Sequence, residues 1–410
     1  MTEAAVTRPA LFVDRRAAFA ALLLFVFSIP WERSLPVPVF GAIGSLFGIV
    51  AMAMTAAAVF QEGRLRLRAP SLLVVVGVIF FLWSLASAFW SEYPIVALSR
   101  SASYAQLIAM MAMIWELTRS RRQHLQLMQA YVLGGFVSAA AILLEFATSS
   151  TARSFRASGL DANPNWAAIA LGLAIPMAWY LFIHNSELPR KFAWLNAALV
   201  PLAIFCIALT ASRGGFLVAL AGALAVPLSL IRMRALLRFA ILLFLALSLT
   251  GLYLWLPEGN VARLQSTSEE LSQGDLSRRR LIWAAGWEVF WENPWAGVGS
   301  GGYRFAVASN YGNSAASHNA FLSILVDLGI VGLLLFTGML VVAMIPPLFW
   351  TPPTESTLYG ALGLALLVGL MPANFEVHKA TWFLLALLTT RQGISLAKAN
   401  LNTPRLRAHG

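Results

Sequence analysis

Two kinds of chemistry gather in one polar stretch of this 410-residue chain, between about Pro257 and Ser317 and at its far edge. The first is anion binding. Arg279, Arg280 and Arg304 lie there, with the glycine cluster Gly297-Val298-Gly299-Ser300-Gly301-Gly302 directly before Tyr303-Arg304. A guanidinium pairs bidentately with phosphate oxygens, and clustered glycines let backbone N–H groups approach an anion closely. The cluster lacks the Lys-Ser/Thr ending of a P-loop, so a plain flexible turn stays open as its reading. The second is proton transfer. Ser317-His318-Asn319 opens a long apolar run, and an imidazole there can accept a proton near neutral pH. Arg213, in Thr210-Ala211-Ser212-Arg213-Gly214-Gly215, joins two apolar runs and needs an anionic partner to sit at a helix end. Arg156, near Asn163-Pro164-Asn165-Trp166, and Asn319 are accessory candidates.

The rest of the chain must position these groups, and its composition says how. Hydrophobic residues make up 59% and charged residues only 11%, against about 25% charged in a soluble domain. A water-soluble core could not absorb this, so an all-α polytopic membrane protein is expected. About twelve apolar runs qualify, near 17–30, 36–60, 70–90, 95–117, 125–147, 164–183, 192–211, 214–231, 237–256, 318–345, 357–371 and 379–390. The first and last two are short. This divides the chain into helices over 1–256, a polar loop over 257–317, and helices with a tail over 318–410. Pro-rich 346–353 reads as a stiff turn. Arg8, Arg15 and Arg16 precede the first run without a cleavage site, which predicts a retained helix. The single cysteine, Cys206, excludes an internal disulfide.

The net charge of +11 does not point to nucleic acid, because the basic residues sit in short runs between apolar stretches. Arg64, Arg66 and Arg68, then Arg119, Arg121 and Arg122, then Arg190 and Lys191, then Arg232, Arg234 and Arg238, then Lys398, Arg405 and Arg407 all fall on one side. That places both termini in the cytoplasm. Arg153, Arg156, Arg213, Arg263, Arg278, Arg279, Arg280 and Arg304 then lie on the opposite side, against the bias. A polyanionic ligand would account for them, and so would solvated loop charge.

Within the polar stretch, residues 276–293 read as a helix ended by Pro294. At about 100° per residue, Trp283, Trp287 and Phe290 share a face with Arg279, while Glu288 and Glu292 lie opposite. Such a helix lies in the membrane interface, its aromatics toward acyl chains. Arg280 falls nearer the acidic face, so Arg279 is the preferred ligand-facing cation. Asp327 lies nine residues beyond His318, roughly 13 Å along the helix. It suits a structural pairing between helices better than orienting the histidine.

Ser212-Arg213-Gly214-Gly215, Arg279-x-x-x-Trp283 with Asn293-Pro294 and Gly297-Val298-Gly299 after it, and His318-Asn319-Ala-Phe-Leu followed by Gly329-Ile-Val-Gly332 together resemble the O-antigen ligase and polymerase superfamily. Asn163-Pro164-Asn165 also fits, and the motifs cover roughly 150–335. One departure is Ser277-Arg278-Arg279, where the family often has Ser-Gly-Arg, so the register of the cation shifts by up to one position. The resemblance implies a GT-C-type membrane glycosyltransferase in the bacterial inner membrane, with a large periplasmic loop. The donor would be a glycan on undecaprenyl pyrophosphate and the acceptor a lipid A–core hydroxyl or a second glycan, with no metal or other cofactor. Arg213, Arg279 (or Arg280) and Arg304 would hold the pyrophosphate, and His318 would act at the acceptor hydroxyl. A polymerase would use the same donor chemistry, and Trp90-Ser91-Glu92-Tyr93-Pro94 is reminiscent of exopolysaccharide polymerases. A transporter is the alternative from another class; it would put polar residues near the midplane instead of crowding them at one end.

Overall fold

The computed structural model describes residues 14–402, apart from 33, 36–40, 62–63, 66, 150–155, 160–162, 185–186, 188, 190, 232, 263–264, 266–278 and 309–313. Arg153, Arg263, Arg278, Arg66, Arg190 and Arg232, and the tail arginines Arg405 and Arg407, lie outside the described residues.

The described residues are helical, save for turns, connections and a two-residue antiparallel pairing of Phe60–Gln61 with Arg64–Leu65. Among them the α-helices follow in this order: α1 Arg15–Ser28, α2 Ile43–Val59, α3 Leu72–Ala86, α4 Pro94–Leu117, α5 Arg121–Thr148, α6 Pro164–His184, α7 Lys191–Leu209, α8 Arg213–Ala223, α9 Ala225–Leu230, α10 Ala235–Leu254, α11 Arg279–Glu292, α12 Tyr303–Ala306, α13 Ala320–Trp350, α14 Pro353–Leu370 and α15 Lys379–Asn402. Each apolar run of the sequence holds a helix. Among the described residues, seven stretches are long and apolar enough to cross a membrane: 72–89, 94–117, 121–148, 164–184, 191–209, 213–230 and 320–349. Residues 43–59, 235–251 and 379–390 form shorter apolar helices. The structure is thus that of a polytopic membrane protein, with seven such stretches among the described residues against the twelve runs expected.

Local chemistry sets where the helices start. Ser120 and Gln123 form a reciprocal capping box on α5. Ser71 caps α3, Ser212 caps α8 and Asn319 caps α13, each side chain accepting from backbone N–H groups of its first turn. Pro94, Pro164 and Pro353 occupy first helical positions, where the missing N–H costs nothing.

The bundle closes around α6, which packs on α5, α7 and α8, and around α15, which packs on α4 and α13. Trp382, Tyr131, Phe80, Phe336 and Phe375 are fully buried at its centre. By contrast α10 turns Leu236, Phe239, Leu247 and Leu254 outward, as lipid-facing side chains must be. Two predicted features change in detail. Pro346 and Pro347 sit inside α13, so the turn is confined to Thr351–Pro352. And α13 kinks at Gly329, whose φ of 67° suits glycine alone. A Cβ there would meet the Trp295 carbonyl carbon at 2.3 Å. Trp83 Nε1 donates to the Leu328 carbonyl beside the kink, at 3.0 Å.

Polar residues collect at the two ends of the bundle. At one end Glu116 accepts from Arg15 (2.6 Å), Arg119 (2.6 Å) and the Arg68 backbone N–H (2.7 Å). Arg121 there reaches Glu187 at 2.7 Å and Glu355 at 3.5 Å. At the opposite end Lys379 pairs with Glu32, and Glu145 accepts from the backbone N–H groups of Ser158 (2.8 Å) and Gly159 (2.6 Å). That second end carries the candidate site.

Candidate functional site

His318 stands in the turn before α13, and two residues shape that turn from outside it. Asn374 Oδ1 accepts from the His318 backbone N–H at 2.9 Å, and Asn374 Nδ2 donates to Ser317 Oγ at 2.8 Å. Trp283, one turn into α11, donates through Nε1 to the Ser317 carbonyl at 2.7 Å. Ser317 Oγ itself donates to the Asn319 carbonyl at 2.9 Å. The turn needs these ties, because His318 has φ 48°, in the left-handed region that a non-glycine residue enters only at a cost.

The other non-glycine residue with this conformation among the described residues is Ala211, also at φ 48°. It precedes Ser212-Arg213, where Ser212 Oγ caps α8 through the Gly215 N–H at 3.1 Å. Both strained residues thus place a candidate side chain at a helix start: Arg213 at the first position of α8 and His318 just ahead of the Asn319 cap of α13. Helix N-termini carry partial positive charge, so both favour an anion in front of them.

Arg279 completes the group. The inner face of α11 is Ile282, Ala285, Val289 and Phe290, packed on Tyr303, Leu322, Leu325 and Val326. This face lies roughly 65° round the helix from Arg279, at about 100° per residue. Arg279 therefore sits at its rim, half-buried, while Arg280 is exposed. Arg213 is close enough that its charge, after burial, pushes the Arg279 pKa down. Burial first, and the Arg279 charge second, push the His318 pKa below its ordinary value. Arg213, Arg279 and His318 thus form one electrostatic group in which the imidazole is held neutral at neutral pH. A neutral imidazole beside Arg279 can accept a proton while Arg279 and its neighbour Arg213 hold an anion.

The predicted aromatic stripe divides. Trp287 is 46% exposed, whereas Phe290 is buried and Trp283 is half-buried, engaged with the Ser317 carbonyl. Trp291 and Trp295 are the exposed rings at the far end of α11. The helix packs on α13, so the face that the periodicity assigned to lipid is partly a protein interface.

The glycine cluster has a different partner from the one its composition suggests. Gly301 N–H donates to Asp327 Oδ2 at 2.9 Å and Tyr303 N–H to Asp327 Oδ1 at 2.7 Å. Val298 and Gly299 donate to the carbonyls of Val326 and Asp327 at 3.0 and 2.9 Å. The Ser300 N–H goes to Ser87 Oγ at 2.9 Å. The anion that the Gly301 and Tyr303 amides cradle is the protein's own carboxylate, buried in α13. Gly297, Gly299 and Gly301 have φ of 68°, 103° and 77°, the backbone this wrap demands. Asp327 thereby has a structural role, locking the loop to the kinked helix. The cluster positions α12 instead of binding a ligand directly.

Arg304 stays at the surface, its guanidinium 4.5 Å from the Phe305 ring centre, and Phe305 stacks on Tyr93 at 4.6 Å. Among the described residues, no contact joins Arg304 to the Arg213–Arg279–His318 group. Arg156 is a brace: Nε donates to the Thr210 carbonyl and Nη2 to Asn165 Oδ1, both at 3.2 Å. Asn165 Oδ1 also accepts from Ser212 Oγ at 2.8 Å. Arg156 thus supports the turn that presents Arg213. Asn319 serves as the cap, its Oδ1 accepting from Phe321 and Leu322 at 3.0 and 3.1 Å.

Residues 197–337 match the family model described as O-antigen ligase. No curated protein matches the chain. The match bears out the resemblance read from the motifs. The matched segment contains Arg213, Arg279, Arg280, Arg304, His318 and Asn319, and also Asp327 with the glycine loop it holds. Arg156 and Asn374 lie outside it, on either side, yet bind its two strained turns. Arg156 was an accessory candidate from sequence, but Asn374 was not, nor was Arg100 of α4, which acts electrostatically on Asp327 and on Glu376. A lone asparagine in a connection carries no sequence signal of its own. An arginine inside an apolar run does, and Arg100 was the residue to notice.

Proposed function

We propose that this chain is a membrane glycosyltransferase of the O-antigen ligase kind. It moves a glycan from undecaprenyl pyrophosphate to a hydroxyl of a lipid A–core acceptor, at the periplasmic face of the bacterial inner membrane. The observation that carries the reading is the meeting of half-buried Arg213 and Arg279 with a neutral His318 at the mouth of two helices. In the step, the acceptor oxygen bonds to the anomeric carbon as the bond from that carbon to the phosphate oxygen breaks. His318 takes the acceptor's proton, and the pyrophosphate leaves with its electron pair, its charge met by Arg213 and Arg279. Two guanidiniums and two helix N-termini supply the charge stabilisation, which supports a metal-independent reaction. Arg304 is the outlying third cation and reaches the donor only where a glycan or loop extends past Phe305.

The same proposal takes all twelve apolar helices as crossings of a GT-C-type bundle, with 1–256 and 318–410 as scaffold and 257–317 as the periplasmic loop. Both termini then face the cytoplasm. The glutamate-rich end with Arg15, Arg68, Arg119 and Arg121 fits the cytoplasmic side.

A deletion strain tests the function. Its lipopolysaccharide and carrier-linked glycan are blotted with a glycan-specific antibody. Long glycan on undecaprenyl pyrophosphate beside bare lipid A–core is the expected result. Single repeat units alone would establish a polymerase instead, and no change in either would overturn both enzyme readings.

A further inference from the structure

We propose that Asn374, backed by Glu376, is a positioning residue that fixes the His318 imidazole by holding its backbone. The inference rests on His318 being the base of the proposed reaction, and it extends the site to a connection outside the O-antigen ligase segment.

The geometry is a two-sided clamp. Asn374 gives its carbonyl oxygen to the His318 N–H and its amide to Ser317 Oγ, so one side chain spans the Ser317–His318 peptide. That peptide leads into the left-handed residue. Without a partner on each side, the turn can relax to an ordinary backbone conformation, and the imidazole swings with it. Trp283 holds the Ser317 carbonyl from α11, which couples the same turn to Arg279.

Glu376 stands behind the clamp. Its Oε1 accepts from Asn374 Nδ2 at 3.5 Å, and its backbone carbonyl accepts from Trp382 Nε1 at 2.6 Å. The residue is 2% exposed, and its Oε2 is without a hydrogen-bond partner among the described residues. Burying an acid with one oxygen unbonded costs stability. The charged and titratable groups acting on it are Arg100 and the Tyr104 hydroxyl from α4 and Asp327 from α13; His378 and Lys379, the latter paired with Glu32, are its titratable neighbours along the segment. Burial pushes its pKa up to about 7, with the Arg100 charge opposing. Ionised, it accepts the Asn374 amide proton more strongly and fixes which end of that amide meets His318.

The test uses the full-length enzyme in nanodiscs with carrier-linked glycan as donor, and reads donor affinity and kcat separately. Asn374→Ala is expected to lower kcat by about 100-fold, the scale of an ångström's misplacement, with donor affinity unchanged. Asn374→Asp keeps the acceptor for the His318 N–H and is expected to recover part of that loss. It also decides the matter should Asn374→Ala fail to accumulate in membranes. Wild-type kcat is expected to rise with pH through about 7, and Glu376→Gln, still an acceptor but no longer titrating, to lose that rise. Asn374→Ala with wild-type kcat, or a folded Asn374→Asp that loses donor affinity instead of kcat, would overturn the clamp. An unchanged pH profile in Glu376→Gln would remove Glu376 from it. His318→Ala separates the two levels. If that variant is active, the base reading itself fails; if it is inactive while Asn374→Ala is fully active, only this inference fails.

Discussion

The two ends of the helical bundle treat arginine in opposite ways. At one end Glu116 is buried among Arg15, Arg68 and Arg119, and Arg121 bridges Glu187 and Glu355. At the other end Arg279 feels the charge of a second arginine, Arg213, and beside it lies an imidazole kept neutral. A cation set against a carboxylate is satisfied and structural. A cation set against another cation raises the free energy of the empty protein, and an anion bound between them lowers it. The contrast accords with the proposal that Arg279 and Arg213 meet an anionic donor, while the arginines of the first end hold the fold. The second end also carries the two strained residues, Ala211 and His318, where the first is built from ordinary caps such as the Ser120–Gln123 box.

Breaking the ligand end first should give the largest effect. His318→Ala is expected to reduce transfer by about 10²–10⁴-fold, with the protein still present and folded in membranes; blotting of both glycan pools reads it. Next, Arg279→Ala or Arg213→Ala is expected to cost about 10²–10³-fold in kcat, as loss of one charge-stabilising donor does. Arg280→Ala, an exposed position, should cost far less in the same assay. A reversed order for Arg279 and Arg280 would shift the register of α11 by one residue.

A subtler way to sharpen the contrast is through pH. The Arg279 charge helps hold the His318 pKa down. Arg279→Gln removes it, so the His318 pKa rises and the acid limb of the kcat/KM profile moves to higher pH. An unmoved limb would mean the two side chains do not share a site. The smallest catalytic effect belongs to the other end. Glu116→Gln should leave kcat unchanged while lowering the thermal unfolding midpoint. A buried acceptor with partly exposed partners is worth about 1–3 kcal/mol.

Much of this was legible in the chain itself. Apolar runs marked the bundle helices, because backbone groups in lipid have no partner but their own helix. Arg213, Arg279 and His318 stood out because charge and imidazole are rare in so apolar a sequence. Other features differ between sequence and structure for a common reason. The glycine cluster has the composition of an anion cradle, and it is one, but its anion is Asp327 from the following helix. The Trp283–Phe290 face has the periodicity of a lipid-facing stripe, but α13 covers much of it. Composition states what a segment can bind, and the nearest partner in space decides what it does bind.

The sequence by itself therefore determined that this is a helical membrane protein with a polar stretch rich in arginine, since hydropathy and capping act between residues close along the chain. Only the tertiary structure decided which cations meet. Arg213, Arg279 and His318 come from three helix starts far apart in sequence, and Asn374, further still, ties down the last of them. Their approach depends on how α8, α11, α13 and the connection before α15 pack. Periodicity reports only which face of one element is apolar. A side-chain hydrogen bond between residues so distant leaves no such trace, because long-range packing and not local geometry brings its two partners together.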